Sequence, residues 1–219
     1  MLCIIQSRMS SNRLPGKVMM NVFGKKLLWR VIDRVSQSNK ITKIVIATSS
    51  KSDDDAIELF CNEEGIECLR GDLDNVANRF FEVLINKRES SFVRINGDSP
   101  LIDPGIIDTA IDKFNNSNYD IVTNVFPRTF PKGQSVEVIS AQAFFELIES
   151  GLNNDQKEHV TKKFYDLPDK FKILNFSSGG KHSDINMCID DIMDKFRLEK
   201  VIEKVGTKNL NWRELCNYF

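Results

Sequence analysis

The stretch LCIIQSRMSSNRLPGK, residues 2–17, decides the fold, because a short apolar run passes directly into a long basic loop. Residues 2–6 are almost continuously apolar, which is typical of a strand covered on both faces of a parallel sheet. Residues 7–17 exceed the roughly 2–6 residues that usually connect a strand to a helix. Because doubly wound sheets bind ligands at the carboxyl ends of their strands, we expect this loop at an active site.

Strand-like and helix-like segments alternate over the first 120 residues. The runs KIVIATS (43–49), IECLRG (66–71) and SFVRIN (91–96) read as further strands, and amphipathic segments stand between them. This rhythm predicts an α/β fold with a mostly parallel central sheet, helices on both faces and right-handed crossovers.

The alternation of strand-like and helix-like segments becomes less regular after residue 120. The segments DIVTNV (120–125) and SVEVIS (135–140) flank a small excursion near residues 125–140. Further on, DQKEHVTKKFYD (155–166) predicts one helix, and INMCID (185–190) predicts a late strand. We expect residues 1–219 to form a single domain.

Composition excludes several classes of protein. The net charge of -1 argues against a protein that holds duplex nucleic acid by bulk electrostatics. No apolar stretch approaches the roughly 18 residues that a membrane span needs, and the N-terminus reads as a strand and not as a signal peptide. The odd number of cysteines and the lack of a CxxC pair predict buried thiols in a reducing cytoplasm. The five cysteines are Cys3, Cys61, Cys68, Cys188 and Cys216.

The first loop carries the groups that a phosphate chain needs. Arg8, Arg13 and Lys17 supply charge, and a Pro15-Gly16 turn lets the backbone approach a ligand. Neither a Walker A loop nor a GxGxxG motif is present. The composition favours a phosphate-binding loop and leaves a merely solvated loop open. The hydroxyl groups that could contact phosphate belong to Ser7, Ser10 and Ser11.

Two carboxylates follow predicted strands at the same edge of the sheet. Asp98 stands in GDSP after the strand of residues 91–96, and Asp190 stands at the end of INMCID. Two carboxylates that face a basic loop suit Mg²⁺, which fills its remaining positions with water and phosphate oxygens. We place Arg94 and Asn96 on alternate faces of the strand before Asp98, so that one of them approaches a base and the other packs.

Ordered motifs along the chain resemble one known family. The chain resembles the sugar-acid cytidylyltransferases, which include acylneuraminate and 3-deoxy-manno-octulosonate cytidylyltransferases, and above all their spore coat polysaccharide branch. The resemblance implies a Rossmann-like nucleotidyltransferase fold of the GT-A type. It also implies transfer of CMP from CTP to a sugar or sugar-acid hydroxyl, with release of pyrophosphate, for a surface polysaccharide or glycoconjugate. The motifs are RMSSNRLPGK (8–17), IVIATS (44–49), RGDLDNVANRF (70–80), VRINGDSPLIDP (93–104), TFPKGQSVEVIS (129–140), KEHVTKKF (157–164) and CIDDIMD (188–194).

The resemblance also implies roles for individual residues. Asp98 and Asp190 would bind the Mg²⁺, Asp194 would cap the following helix, and Asp191 would be a solvated neighbour. Lys17, Arg13 and Asp98 are the predicted catalytic residues. Predicted nucleotide contacts come from Ser7, Arg8, Ser10, Ser11, Arg13, Lys17, Asn96 and Gly97. Predicted contacts to the sugar acceptor come from Arg79, Glu137, Glu158 and His159, with an exposed strand face as the alternative for Glu137.

Three other functions stay open at this point. A glycosyltransferase of similar fold would use an Asp-x-Asp pair, and the chain holds one at Asp72 and Asp74, although a helix cap is the plainer reading. A related nucleotidyltransferase could use another base or a sugar-phosphate acceptor. A catalytically silent relative could bind nucleotide as a sensor. The pair Gln134-Ser135 departs from the pattern expected there, which leaves the sugar open, and the excursion near residues 125–140 is a candidate homodimer contact.

Overall fold

The structure is a computed structural model that describes residues 1–207 and 210–219, and in these ranges it contains a seven-stranded sheet and a separate two-stranded ribbon. The strands in chain order are β1 (Leu2–Gln6), β2 (Asn21–Val22), β3 (Lys25–Lys26), β4 (Lys43–Ser49), β5 (Glu67–Gly71), β6 (Ser91–Asn96), β7 (Ile121–Thr123), β8 (Glu137–Ser140) and β9 (Ile173–Asn175). The α-helices are α1 (Leu27–Ser36), α2 (Asp55–Glu64), α3 (Val76–Lys87), α4 (Pro104–Asn115), α5 (Ala141–Glu149), α6 (Asn154–Glu158), α7 (Lys162–Asp166), α8 (Ile192–Val205) and α9 (Trp212–Leu215).

The sheet has the strand order β5-β4-β1-β6-β8-β7-β9. Strand β8 runs antiparallel to β6 and to β7, and the other neighbouring pairs are parallel. Strand β1 pairs with β4 on one side and β6 on the other, so Gln6 lies beside Ala47 and Asn96. The predicted mostly parallel sheet is confirmed, and its interior strand β1 leads directly into the first loop.

Apolar side chains cover both faces of the sheet. Alternate residues of β1 point to opposite sides: Cys3 and Ile5 pack with α1, α2 and α4, whereas Leu2 and Ile4 pack with α3 and α5. Each large side chain buried in this way contributes about 1.5–3 kcal/mol to folding. The predicted helices on both faces of the sheet are therefore confirmed.

The predicted strand of residues 185–190 is wrong. Its backbone pairs with two separate segments, since the Met187 N–H donates to the Lys132 carbonyl and the Ile189 N–H donates to the Asp98 carbonyl. Two different partners within three residues prevent a regular ladder, and a single bridge between Lys132 and Asn186 is formed. The same bonds bring the following residue, Asp190, to the end of β6.

The predicted single helix of residues 155–166 is also wrong. The chain forms α6 and α7 with a break at His159, whose backbone leaves the helical region at φ -101 and ψ 82. The β-branched Val160 is fully buried beyond this break, whereas Glu158 and His159 stay exposed. Within the described residues, no helix has the length and apolar character needed to cross a membrane.

Candidate active site

The first loop is held in place by its own backbone and by one buried carboxylate. The Gly16 N–H donates to the Met9 carbonyl at 2.8 Å, and Gly16 itself adopts a left-handed φ of 73, which favours glycine. The Met9 N–H donates to Asp54 at 2.7 Å, and the Ser49 N–H donates to the other oxygen of that carboxylate at 2.9 Å. Asp54, which immediately precedes α2, therefore ties the loop to β4.

The ammonium of Lys17 joins the two predicted metal carboxylates. Lys17 Nζ donates to Asp98 Oδ2 at 2.9 Å, to Asp190 Oδ1 at 3.0 Å and to the Ile189 carbonyl at 2.8 Å. Burial alone would lower the pKa of Lys17, but the charges and hydrogen bonds of Asp98 and Asp190 outweigh burial and raise it. The structure thus brings together the basic loop and both carboxylates, as the sequence predicted.

Asp190 faces two cations. Its Oδ2 lies 3.0 Å from Nη2 of Arg13, whose side chain is largely exposed, and its Oδ1 accepts from Lys17. Burial works to raise the pKa of Asp190, but the bonds and charges of Lys17 and Arg13 lower it overall. Asp190 therefore remains an anion at neutral pH.

The start of α8 corrects the interpretation of Asp191. Asp191 is the N-cap of α8, since its side chain accepts from the Asp194 N–H. Asp194 returns the bond by accepting from the backbone N–H of Asp191 and also of Asp190. This capping box satisfies free N–H groups of the first turn. Asp191 is thus a helix cap and not merely a solvated neighbour, and Asp194 positions Asp190.

The donor set at Asp98 and Asp190 fits magnesium. Among the described residues, no three or more His, Cys, Asp or Glu side chains are grouped to hold a metal ion. A pair of carboxylates nevertheless suffices for Mg²⁺, which usually keeps several waters and takes phosphate oxygens as further ligands. About a quarter of each side chain is exposed, so oxygens of both carboxylates can be reached from solvent.

A cavity of about 350 Å³ extends from this centre along the loop. Of the predicted nucleotide contacts, Ser10 does not line it, because a turn closed by the Ser11 N–H and the Met9 carbonyl leaves Ser10 exposed. The predicted residues Glu137 and Asp190 do not line it either, and sequence reasoning missed Gln6, Asn12, Val18 and Val76, which do. The predicted residues along the cavity are Ser7, Arg8, Ser11, Arg13, Lys17, Arg79, Asn96, Gly97, Asp98, Glu158 and His159.

Gly97 allows the ends of β6 and β1 to pack closely. A Cβ on Gly97 would lie 2.9 Å from the Gln6 carbonyl oxygen and 3.1 Å from Ser7 Oγ. The Gly97 N–H also donates to the Gln6 carbonyl at 2.9 Å. Glycine thus lets β1 and β6 end side by side, which sets the spacing between the loop and Asp98.

A second cavity of about 490 Å³ adjoins the first, and the two share Arg94, Asn96 and His159. Arg94 and Asn96 stand two residues apart in β6 and so project from the same face, which makes the predicted alternation wrong. Arg94 also hydrogen-bonds to Asn96 at 3.3 Å. One strand face therefore contributes to both cavities.

A buried polar network forms one wall of the second cavity. Glu137 is only 2% exposed, so the alternative of an exposed strand face is wrong. Its carboxylate accepts from Arg94 and from the Tyr165 hydroxyl. Burial, followed by the charge of Glu137, raises the pKa of Tyr165 well above its usual value. Tyr165 stacks on Phe126 with ring centroids 4.7 Å apart, which gives the cavity an aromatic wall.

Gln134 and Ser135 have different tasks in the excursion. Gln134 is fully buried, donates to the Leu101 carbonyl at 2.7 Å and accepts from the Asp103 N–H at 2.9 Å. Ser135 lines the second cavity and accepts from Arg128 at 2.9 Å. The unexpected glutamine therefore anchors the excursion, while Ser135 and Arg128 line the second cavity.

The chain matches a known protein family over most of its length. A family model described as Cytidylyltransferase matches residues 2–208. The chain is 31% identical over 218 residues to the uncharacterized protein MJ1063 of Methanocaldococcus jannaschii, covering 98% of this chain and 88% of the relative. It is also 31% identical over 216 residues to the spore coat polysaccharide biosynthesis protein SpsF of Bacillus subtilis, covering 94% of this chain and 88% of the relative.

Solved structures agree with the fold. A cytidylyltransferase from Leptospira borgpetersenii superposes with a TM-score of 0.94 at 26% identity, covering 99% of this chain and 92% of that chain. A CMP:2-keto-3-deoxy-manno-octonic acid synthetase, solved in complex with CTP, gives a TM-score of 0.71 at 14% identity, covering 93% and 99% of the two chains. This second likeness concerns the fold alone.

Proposed function

The chain belongs to the cytidylyltransferase family, and from that premise we propose that it transfers CMP from CTP to a hydroxyl of a sugar or sugar acid and releases pyrophosphate. One observation carries the proposal: Lys17 contacts both Asp98 and Asp190 beside a cavity lined by the basic loop. A surface polysaccharide is the proposed destination of the product, since SpsF is named for spore coat polysaccharide biosynthesis. A homodimer and a cytoplasmic location stay predictions.

The residues of the loop would bind and orient the triphosphate. Arg13 and Lys17 are the cations next to Asp190, so they are placed to neutralise charge that develops on the phosphoryl oxygens. Asn96 and Gln6 lie along the cavity at the ends of β6 and β1. Direct displacement at phosphorus depends on such positioning and charge neutralisation and needs no covalent enzyme intermediate.

Asp98 and Asp190 are the residues that would hold the Mg²⁺. When bound, such an ion supplies Lewis-acid stabilisation of the phosphoryl oxygens. Lys17 keeps the two carboxylates at one place, and its hydrogen bond and charge help to lower the pKa of Asp190. Asp194 fixes the backbone at Asp190 through a bond of 2.9 Å from the Asp190 N–H.

The second cavity is the proposed acceptor site. It meets the first cavity at Arg94, Asn96 and His159, so a hydroxyl held there could approach the reacting phosphate. The stacked pair of Phe126 and Tyr165 offers an apolar face for the C–H groups of a sugar ring. A sugar ring in this cavity would thus be held between an aromatic wall and polar groups.

The glycosyltransferase alternative finds little support in its Asp-x-Asp pair. The Asp72 carboxylate accepts from the N–H groups of Asp74 and Asn75, at 2.8 and 3.0 Å. Neither Asp72 nor Asp74 lines the first cavity. The N-cap of α3 is Asn75, so the predicted capping by Asp72 or Asp74 was misplaced.

We expect CTP to stabilise the chain more than GTP or UTP in the presence of Mg²⁺. A ligand that binds the folded state alone raises the free energy of unfolding by about 2.7 kcal/mol at a hundredfold excess over its Kd. A thermal-shift series with the three nucleotides measures this and requires no knowledge of the acceptor. Equal shifts for the three nucleotides would refute the choice of cytosine.

Pyrophosphate release separates the proposed function from its alternatives. The chain should release pyrophosphate from CTP with a suitable sugar acid, and much less from UTP or GTP. Release from another triphosphate, or with a sugar phosphate only, would indicate the related nucleotidyltransferase. No release from any triphosphate in the presence of any acceptor would favour the glycosyltransferase or the silent relative.

A further inference from the structure

The two cavities of the candidate active site meet at three side chains. Arg94, Asn96 and His159 line both the first cavity and the second cavity. With the nucleotide in the first cavity and the acceptor in the second, the attacking hydroxyl meets the α-phosphate at this junction. A general base must lie within hydrogen-bond reach of the proton that it removes. The residues at the junction are therefore the candidates for this task.

Two of the three junction residues cannot accept the proton. The Arg94 guanidinium has donors and no acceptor, and it is paired with the carboxylate of Glu137. Asn96 carries a neutral amide, whose oxygen accepts from Arg94 at 3.3 Å. His159 carries an imidazole, a group that gains and loses a proton near neutral pH and so suits general-base catalysis.

Two carboxylates near the junction already have partners. Glu158 accepts from Arg8 at 2.8 Å, and this hydrogen bond lowers the pKa of Glu158. Asp166 accepts from Gln156 and from Lys162, each at 2.9 Å, and these bonds lower the pKa of Asp166. A lowered pKa makes a carboxylate a weaker base, so neither group is matched to the proton of a hydroxyl.

The buried pair of Glu137 and Tyr165 offers no base either. Glu137 is 2% exposed, and its carboxylate accepts from both Arg94 and the Tyr165 hydroxyl. Burial, followed by the charge of Glu137, raises the pKa of Tyr165 well above its usual value, so its phenol keeps its proton at neutral pH. This pair forms the wall of the second cavity and leaves the proton to His159.

The backbone at His159 is fixed, while its side chain is open to solvent. His159 stands at the break between α6 and α7, and the Lys162 N–H donates to its carbonyl at 2.7 Å. The next residue, Val160, is fully buried. The His159 side chain is 63% exposed, so an acceptor bound in the second cavity can reach the ring. A fixed backbone with an accessible imidazole suits a group that receives a proton from a bound substrate.

A carboxylate one helical turn earlier faces one nitrogen of the ring. Nε2 of His159 lies 3.5 Å from Oδ1 of Asp155. A proton on Nε2 faces this carboxylate, which leaves the lone pair of Nδ1 for the hydroxyl. The charged groups around His159 come from the first loop, β6, α6 and α7, and they are Arg8, Arg94, Asp155, Glu158, Lys162 and Asp166.

We propose that His159 is the general base of the transfer and receives the proton of the acceptor hydroxyl on Nδ1. The inference rests on the proposed function in taking phosphoryl transfer to a hydroxyl as the reaction. The hydroxyl oxygen forms a bond to the α-phosphorus, and the bond from that phosphorus to the oxygen that bridges to the β-phosphate breaks. The electron pair of the broken bond leaves on pyrophosphate, and the imidazolium then releases its proton to solvent. This role goes beyond the sugar contact that the sequence predicted for His159.

The test is the pH dependence of pyrophosphate release by the full chain with CTP and Mg²⁺. The acceptors are an acylneuraminate and 3-deoxy-manno-octulosonate, and water serves as the acceptor if neither reacts. Release by the unaltered chain should rise with pH through the range in which an imidazole loses its proton. We expect His159→Gln to lower kcat by about a hundredfold or more and to abolish this rise. The KM of the nucleotide should stay within about threefold, because the step that is lost follows binding.

Rescue by imidazole separates a catalytic role from a structural one. Added imidazole should raise the rate of His159→Ala several-fold, because it can accept the proton in the space that the side chain leaves. It should not accelerate the unaltered chain. The second histidine of the chain provides the matched control, since His182 packs on Trp212 with ring centroids 5.4 Å apart and lines neither cavity. His182→Gln should keep both kcat and its pH dependence.

Three outcomes would overturn the proposal. They are a His159→Gln variant that retains most of its activity, the same rise with pH in this variant as in the unaltered chain, and no effect of imidazole on His159→Ala. A chain that uses UTP or GTP in preference to CTP would refute the proposed choice of cytosine, and the same profiles recorded with that nucleotide would still decide the role of His159. A chain that releases pyrophosphate from no nucleotide, to a sugar acid or to water, would refute both.

Discussion

Asp98→Asn is expected to lower kcat by about a thousandfold or more while leaving Tm nearly unchanged. Loss of one preorganised electrostatic group typically costs about 10²–10³ in rate, and a carboxylate that holds the metal should cost at least the upper value. The fold should tolerate the change, since an asparagine oxygen can still accept from Lys17 Nζ, which now lies 2.9 Å from Asp98. Steady-state pyrophosphate release and a thermal melt measure the two quantities.

The control for this variant lies next to the same site. Asp191→Asn changes a carboxylate one residue from Asp190, but Asn caps helices about as well as Asp. We therefore expect Asp191→Asn to keep kcat within about threefold of the unaltered chain. An Asp98→Asn variant that retains most of its activity would rule out the assigned role of Asp98.

Lys17→Met is expected to reduce both activity and stability. Methionine has similar length but no charge, so it leaves Asp98 and Asp190 side by side without the ammonium that now lies 2.9 and 3.0 Å from them. Breaking a buried ion pair costs about 3–5 kcal/mol, and the partial exposure of both carboxylates reduces that to about 1–3 kcal/mol. We expect kcat to fall by about a hundredfold or more, as for other lost phosphoryl contacts. Urea unfolding and pyrophosphate release measure the two effects.

The stability difference should depend on pH in a defined direction. The folded pKa of Asp190 is lowered from 3.8, so its stabilisation is present above that value and is lost as the pH falls through the lowered pKa. The folded pKa of Lys17 is raised from 10.5, so its stabilisation is complete below that value and is lost as the pH rises through the raised pKa. The difference between Lys17→Met and the unaltered chain should therefore be largest between pH 3.8 and 10.5 and shrink in acid. A difference that grows in acid would contradict the assignment of these charges.

The sequence was sufficient for the features that depend on local pattern. Buried apolar runs with amphipathic segments between them predicted the parallel core of the sheet, and the basic loop after residue 6 marked its functional edge. The proximity of Lys17, Asp98 and Asp190 followed from the rule that strand ends meet at one edge. That rule worked for Asp190 even though the predicted strand before it does not form.

The features that the sequence could not predict depend on partners far along the chain. Residues 185–190 look like a strand because of their apolar character, and only the bonds to Lys132 and Asp98 explain why they are irregular. The burial of Glu137 depends on Arg94 and Tyr165, whose proximity is a consequence of the folded sheet. Local periodicity carries no information about such contacts.

The partners of the cations in the first cavity likewise could not be predicted from the sequence. Sequence composition placed Arg8 in a phosphate loop but could not assign it a partner 150 positions away, Glu158. Likewise, Arg79 stands in an ordinary amphipathic helix, and what separates it from a surface arginine is its burial without an ion pair among the residues that the structure describes. Such residues are recognised from unsatisfied groups in the folded chain.

Diffraction from crystals soaked with CTP and Mn²⁺, recorded at a wavelength where manganese scatters anomalously, tests the central claim most directly. The account predicts a manganese peak in contact with the carboxylates of Asp98 and Asp190, and a triphosphate along residues 7–17. A manganese peak away from both carboxylates, or a triphosphate bound outside the basic loop, would contradict it.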